Sequence, residues 1–195
     1  MSASLRDRLQ SLLSEPPSTP PLAGDLPEIR EDAAAPAAVL LAITDRKEPG
    51  LILTLRRDDM RTHAGQIAFP GGRIEEGESA ISAALREAEE ELRLTRSLVD
   101  PVGCLDRYRT VTGFVVTPVV AAIPPDLPLV PHEHEVADWF EAPLAFLLDP
   151  QNHRRETAVF GGLERSYWTI QWQDRRIWGA TAAIIINLTR RLQWR

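Results

Sequence analysis

The segment from Gly72 to Leu94 constrains this chain most, because it joins a glycine turn to an amphipathic helix. A Phe-Pro-Gly-Gly sequence ends at Gly72, and this combination indicates a turn rather than regular structure. Glu78 or Ser79 is expected at the start of the helix, where a negative charge or a cap is favourable. From Ser79 to Leu92 the apolar residues recur at helical spacing, which predicts a helix with one buried face.

Three carboxylates lie close together on this predicted helix, at Glu87, Glu90 and Glu91. Residues three and four apart are neighbours on a helix, so all three side chains can reach one small volume, and Arg86 can pair with Glu90. The like charges cost roughly a few tenths of a kcal/mol per pair, and Mg²⁺ or Mn²⁺ would offset this repulsion because hard cations take carboxylate oxygens. A metal-activated water could then attack a phosphoanhydride. The competing interpretation is a solvated acidic helix face, against which the glycine turn and the offset of Glu78 both argue.

Most of the remaining chain has the apolar runs and turn residues that indicate strands. The predicted strands are 37–43, 51–55, 100–106, 114–123, 135–140, 165–171 and 174–178. A charged stretch at 45–50 is expected to form a hairpin loop, residues 143–148 a short helix, and residues 181–192 a closing helix. Strands on both sides of one central helix predict an α/β fold, with helices packed on the faces of a mixed sheet.

The N-terminal region differs in composition from the rest of the chain. Leucines at 5, 9, 12 and 13 have helical spacing, with Ser2 or Ser4 as a cap, and predict a short helix. Residues 16–28 are rich in proline and indicate a linker or an extended arm. We therefore expect residues 1–30 to form a helix and a proline-rich arm, and residues 31–195 to form the main domain.

Composition excludes several classes of function. The net charge of −6 argues against nucleic-acid binding through a basic face. Cys104 is the only cysteine, so an internal disulfide is impossible and a cysteine metal site is not expected. No apolar run has the length of about 18 residues that a membrane span needs. A cytoplasmic protein is expected by default, with a mitochondrial address left open, and a homodimer is compatible with the apolar ends.

The segment from Gly72 to Leu94 resembles the Nudix box. That pattern is Gly, five residues, Glu, seven residues, Arg-Glu, an apolar residue, any residue, Glu-Glu, any residue, Gly and an apolar residue. The matching positions are Gly72, Glu78, Arg86, Glu87, Ala88, Glu90, Glu91 and Leu94. Arg93 replaces the late glycine, where a positive φ is often wanted. Arginine costs roughly 1 kcal/mol there if the left-handed conformation is kept; otherwise the helix ends differently.

The residues before the box are similar to the signature of the coenzyme A pyrophosphatase subfamily of Nudix hydrolases. This signature is roughly Leu-Thr-x-Arg, three residues, Leu-Arg-x-His-x-Gly-Gln and Phe-Pro-Gly-Gly, and the chain carries it from Leu53 to Gly72 with Met60 in place of leucine. The resemblance implies a Nudix fold, an α/β/α sandwich around a mixed β-sheet. It also implies cleavage of the pyrophosphate of coenzyme A, acyl-CoA or oxidised CoA. Coenzyme A would yield 4'-phosphopantetheine and adenosine 3',5'-bisphosphate.

The resemblance also assigns roles within the box. Glu87 and Glu91 are the expected ligands of Mg²⁺ or Mn²⁺, with Glu90 joining them. The carbonyl of Gly71 or Gly72 could add a ligand, and Arg86 should orient a carboxylate. Four residues stay open as the general base: Glu87, Glu90, Glu133 and Glu135.

Substrate binding is expected from Arg56, Arg61, His63 and Gln66, and Arg61 and His63 have the chemistry to bind a 3'-phosphate. Arg56 could instead be a surface residue at a strand end, His63 could hold its own loop, and Gln66 could only fix the loop backbone.

Two other functions compete with hydrolysis of coenzyme A. One is a Nudix pyrophosphatase for another nucleoside diphosphate derivative, such as ADP-ribose or NADH. The other is a catalytically silent binding module, which only Arg93 favours.

Overall fold

A computed structural model describes residues 4–17, 19–25, 34–57, 65–160 and 163–192 of the chain. The helices are α1 (Leu5–Ser14), α2 (Ala80–Leu92), α3 (Leu144–Leu148) and α4 (Gly179–Leu192). The first strands are β1 (Ala35–Thr44), β2 (Gly50–Arg56), β3 (Ile67–Ala68), β4 (Gly71–Arg73), β5 (Asp100–Cys104) and β6 (Tyr108–Arg109). The later strands are β7 (Phe114–Ile123), β8 (Val136–Pro143), β9 (His153–Phe160), β10 (Leu163–Trp172) and β11 (Arg175–Trp178).

Within the described residues, eight strands form one mixed sheet. Its centre is the parallel pair β1 and β7, joined over the whole of Ala35–Thr44. The other pairings are antiparallel, with β2 beside β1, β8 and β3 beside β2, β4 beside β1, and β5 and β6 beside β7. The mixed sheet expected from the order of strands and helices is confirmed.

Helix α2 covers one face of this sheet. Small residues let its backbone approach the strands closely, because Ala84 and Ala88 on the helix and Ala38 on β1 are all fully buried. Leu92 closes the same core at the C-terminal end of the helix. The buried stripe predicted for this helix is therefore the face that packs on the sheet, which leaves the carboxylates at its edge.

The other face of the sheet carries α1, α3, α4 and a second sheet of three strands, in the order β9, β10 and β11. Leu5 and Leu9 of α1 are buried in the same core as Leu188 of α4. Asn187 on α4 holds the N-terminal arm, since its side chain accepts from the N–H of Leu22 at 2.7 Å and donates to its carbonyl at 2.9 Å. Helices thus lie on both faces of the main sheet, as the α/β/α arrangement requires. The division of the chain at residue 30 stays a prediction.

The structure differs from the sequence prediction at four strands, of which the two-residue strands β3 and β6 lie where no strand was expected. Strand β9 lies at residues 153–160, where no strand was expected, and it pairs with residues 163–170 of β10. The three-residue strand β4 lies in the segment predicted as a turn, and it pairs with residues 37–39 of β1. None of the helices in the described ranges combines the length and apolar character needed to cross a membrane.

Candidate active site

Both ends of α2 are fixed by local hydrogen bonds. Ser79 is the N-cap, and its hydroxyl accepts from the N–H of Ser82 at 3.1 Å. At the other end Arg93 keeps the left-handed conformation, with φ 54° and ψ 29°. Its N–H bonds to the carbonyl of Glu89 at 2.9 Å, and the N–H of Leu94 bonds to the carbonyl of Ala88 at 3.3 Å. The bond from Arg93 to Glu89 is that of an αL helix ending, so arginine occupies a position that usually belongs to glycine.

Arg86 forms hydrogen bonds to three carboxylates, those of Glu78, Glu87 and Glu90. Its Nε and Nη2 donate to the two carboxylate oxygens of Glu78, each at 3.1 Å. Its Nη1 donates to Glu87 at 2.8 Å and to Glu90 at 3.2 Å, and its Nη2 also reaches the carbonyl of Arg73 at 2.9 Å. These contacts raise the pKa of Arg86, chiefly through the bond to Glu78. One guanidinium thus ties helix α2 to the turn before it and to strand β4.

The two glycines before the helix make room for its carboxylates. The N–H of Gly71 donates to Glu91 Oε2 at 3.2 Å. A Cβ on Gly72 would overlap the carboxylate of Glu87, so any larger residue here would force that side chain to move. Pairing of Gly71 with Val39 holds the turn against the central strand of the sheet. Glu87 and Glu91 therefore face the same glycine turn from the same side of α2.

Burial raises the pKa of both carboxyl groups. Glu91 is only 3% exposed, and burial raises its pKa to about 8, against the lowering effects of the Gly71 N–H and the Arg56 charge. Burial also raises the pKa of Glu87, which its bond to Arg86 partly opposes. The charge of Glu135 adds to both shifts. A cation close to such a buried carboxylate would stabilise its charged form.

The residues at this position fit a hard divalent cation. In the described ranges no three His, Cys, Asp or Glu side chains are gathered closely enough to form a ready metal cage. Mg²⁺ does not need one, because it keeps several waters and is often bound by one or two carboxylates together with substrate phosphates. Glu87 and Glu91 supply two such carboxylates, both with a raised pKa. Glu90 is placed differently, since its side chain is 59% exposed and bonds to Arg86.

The residues expected to bind substrate are only partly within the described ranges. Arg56 lies at the end of β2, with Nη1 3.9 Å from Glu91 Oε1. Its N–H bonds to the carbonyl of Gln66 at 3.0 Å, so Gln66 lies directly beside it. Arg61 and His63 lie outside the described residues. The structure therefore brings Arg56 near Glu91 and places Gln66 beside Arg56. All four substrate-binding assignments stay predictions.

A loop between β7 and β8 adds contacts that the box pattern did not include. The N–H of His132 donates to the carbonyl of Glu91 at 2.7 Å. Arg57 Nη1 donates to the carbonyl of Glu133 at 2.6 Å. Sequence reasoning considered Glu133 and Glu135 for this loop but not Arg57, whose only sequence signal is its place after Arg56. The contact joins residues 76 positions apart, so no local pattern could predict it.

Known proteins share much of this chain. A family model described as NUDIX domain matches residues 34–160. The chain is similar to proteins named uncharacterized Nudix hydrolase NudL in Cronobacter sakazakii and in Escherichia coli strain K12. Each is 46% identical over 153 residues, covering 78% of this chain and 80% of the relative. A crystal structure of a Nudix hydrolase from M. smegmatis, RenU, matches with a TM-score of 0.50 and 22% identity, over 57% of this chain and 72% of that one.

The matched region contains the whole carboxylate site. It begins just before β1 and ends with β9, so it includes the glycine turn, helix α2 and the loop before β8. The structural likeness to RenU supports the fold alone, while the identity to the two relatives extends across most of both chains. On the evidence of the domain match and these relatives, the chain belongs to the Nudix family of hydrolases.

Proposed function

We propose that this Nudix hydrolase cleaves the pyrophosphate of coenzyme A, giving 4'-phosphopantetheine and adenosine 3',5'-bisphosphate. The observation that carries the proposal is the segment from Leu53 to Gly72, which is similar to the coenzyme A pyrophosphatase signature. The described parts of this segment lie at the carboxylates, because Arg56 approaches Glu91 and Gly71 bonds to it. Acyl-CoA and oxidised CoA are included, since they carry the same pyrophosphate.

The chemistry follows from the charges at the site. Nudix hydrolases generally use a divalent cation, and we assign it to Glu87, Glu90 and Glu91 with the carbonyl of Gly71. When bound, Mg²⁺ or Mn²⁺ supplies charge stabilisation for the phosphates and acidifies a water molecule. Arg86 holds Glu87 and Glu90 in place through its two bonds from Nη1.

The protein residues around the pyrophosphate position have complementary roles. Arg56 brings a guanidinium close to Glu91, where two of its N–H groups can bind a phosphate group bidentately. Gln66 fixes the backbone at Arg56 and can donate to the substrate. Arg61 and His63 are assigned to the 3'-phosphate that distinguishes coenzyme A from ADP-ribose. The base that takes the proton of the attacking water is one of Glu87, Glu90, Glu133 and Glu135.

A substrate panel tests the assignment. Initial rates with coenzyme A, dephospho-CoA, acetyl-CoA, ADP-ribose, NADH and dGTP are measured side by side with Mg²⁺ or Mn²⁺. We expect the highest kcat/KM for coenzyme A, and a lower value for dephospho-CoA because it lacks the 3'-phosphate. Efficient cleavage of ADP-ribose without turnover of coenzyme A would instead assign another nucleoside diphosphate derivative as substrate.

Two further assignments belong to this proposal. We place the enzyme in the cytoplasm, where coenzyme A is used, and fractionation of the source cells tests this. A homodimer is compatible with the chain, and light scattering of the purified protein measures its mass directly. A mass equal to the 21.8 kDa of one chain would exclude the dimer.

A further inference from the structure

The loop before β8 is tied to both walls of the carboxylate site. On one side, the N–H of His132 donates to the carbonyl of Glu91 on helix α2 at 2.7 Å. Within the loop, the N–H groups of Glu135 and Val136 both donate to the carbonyl of His132 at 2.9 Å. This turn brings the backbone of Glu135 back toward α2 and leads directly into β8. We refer to residues 132–136 as the site loop.

Arg57 ties the site loop to the opposite wall. Its side chain donates from Nη1 to the carbonyl of Glu133 at 2.6 Å, and its N–H donates to the carbonyl of Glu135 at 3.4 Å. Its own carbonyl accepts from the N–H of Gly65 at 3.3 Å. A single residue therefore contacts the end of β2, the site loop and the point where the chain returns to β3.

Among the contacts of Arg57 described above, the bond to Glu133 is the one made by its side chain. A guanidinium that donates to a carbonyl forms a charge-assisted hydrogen bond, which is stronger than one between neutral groups. The backbone bonds of Arg57 would survive substitution, but this bond would not. The side chain of Arg57 thus fixes the loop one residue from His134 and two from Glu135.

Backbone bonds place Glu135 near the carboxylates, because its N–H donates to the carbonyl of His132, whose own N–H donates to the carbonyl of Glu91. The charge of Glu135 contributes to the raised pKa of Glu91 and of Glu87, after the larger effect of burial on each. A displacement of the loop would therefore move the charge of Glu135 relative to Glu87 and Glu91.

We propose that Arg57 is a positioning residue, which holds the site loop so that Glu135 stays beside Glu87 and Glu91 during turnover. The inference rests on hydrolysis at the carboxylates of α2, and it holds for whichever pyrophosphate substrate the enzyme prefers. Arg57 acts through Glu135 and does not need to contact the substrate. Its loss should consequently lower kcat and leave KM nearly unchanged.

A double-mutant cycle tests this coupling, with the best substrate of the panel and saturating Mg²⁺. The variants are R57Q, E135Q and R57Q/E135Q, with E91Q as a check that turnover occurs at this site. We expect R57Q to lower kcat by about tenfold to a hundredfold, with KM within about threefold, because misplacement of an active group has effects of that size. In the E135Q background the same substitution should cost less than about twofold, since the group it positions is absent.

Arg46 offers a matched control. It is also an arginine that ties the segment between β7 and β8 to the sheet, by bonds to Asp126 at 3.0 Å and Glu141 at 3.2 Å, but far along the loop from Glu135. R46Q removes the same charge and should keep the wild-type kcat. Should R57Q fail to fold, R57K replaces it in the cycle, with a smaller loss of kcat expected because lysine retains one donor.

Three results would overturn the proposal. The first is an unchanged kcat in R57Q or, where it replaces R57Q, in R57K. The second is an equal loss in the wild-type and E135Q backgrounds, which would show that Arg57 does not act through Glu135. The third is an equal loss in R46Q, which would assign the effect to general anchoring of the segment. Unchanged turnover in E91Q would refute the site itself and is thereby distinguished from failure of the Arg57 role.

Discussion

Glu91 is a buried carboxyl group whose charged form few neighbouring groups stabilise. It is 3% exposed, and among the residues that the structure describes the Gly71 N–H and the more distant Arg56 favour its charged form. Its pKa of about 8 means that the metal-free protein binds a proton here that the unfolded chain has released. Below the unfolded pKa this group contributes its full stability, and that contribution is lost as the pH rises through about 8.

The metal-free protein should therefore lose stability between pH 5 and pH 9. Urea unfolding in the presence of a chelator measures this directly, and E91Q should flatten the decline because glutamine carries no titratable proton. Saturating Mg²⁺ should stabilise the wild type most at high pH, where the carboxylate is charged. A decline of equal size in E91Q would assign the pH dependence to other groups.

Gly72 allows a second test at the residue scale. A Cβ there would overlap the carboxylate of Glu87, so G72A should displace that side chain and lower kcat by about tenfold or more. Gly77 is the matched control, because its φ of +79° disfavours alanine while no atom lies within 4 Å of the added Cβ. G77A should lower the free energy of unfolding by about 1 kcal/mol and leave kcat unchanged. Equal kcat losses in the two variants would contradict this role for Gly72.

At the scale of the element, the C-terminal end of α2 has the conformational strain that the sequence already indicated. Arg93 keeps φ at 54° and completes an αL helix ending, so the helix does not end differently to accommodate arginine. R93G should raise the free energy of unfolding by about 1 kcal/mol, because glycine adopts this conformation without strain. R93A removes the charge but keeps the Cβ and should bring no gain. Urea unfolding compares the two, and an equal gain in both would point to charge instead of conformation.

The N-terminal arm is the second element with a measurable contribution. Asn187 is 4% exposed and satisfies both backbone groups of Leu22, at a distance of 165 positions along the chain. N187A leaves these groups without their partner and should lower the free energy of unfolding by about 2–3 kcal/mol. Turnover per folded molecule at 25 °C should stay at the wild-type level. An unchanged free energy of unfolding would show that the arm adds nothing to the core.

At the scale of the whole molecule, the predictable parts are those with a strong local pattern. Helix α2 was predicted within one residue, since its apolar stripe and its cap are both local signals. Strand β9 was missed because its sequence, HRRETAVF, has charged residues and few apolar ones, and its described side chains are mostly exposed or half-buried. Its position depends on pairing with β10, which no local pattern reports.

The parts of the site also differ in whether a local sequence pattern could predict them. The glycine turn and the carboxylates come from one contiguous segment, so spacing alone could predict that they meet. The approach of Arg56 to Glu91 and the contact of Arg57 with Glu133 join separate strands and loops, and they required the folded chain. A resemblance to a family could supply the first of these contacts but not the second.

The most direct test of the account is the turnover of coenzyme A by the wild type and by E91Q, with Mg²⁺ or Mn²⁺ and with the products separated by chromatography. We expect the wild type to release 4'-phosphopantetheine and adenosine 3',5'-bisphosphate. E91Q should lose at least about a hundredfold in kcat while keeping the wild-type far-UV circular dichroism, because it removes one of the proposed ligands of the cation. Unchanged turnover in E91Q, or no turnover of coenzyme A by a wild type that cleaves ADP-ribose, would contradict the account.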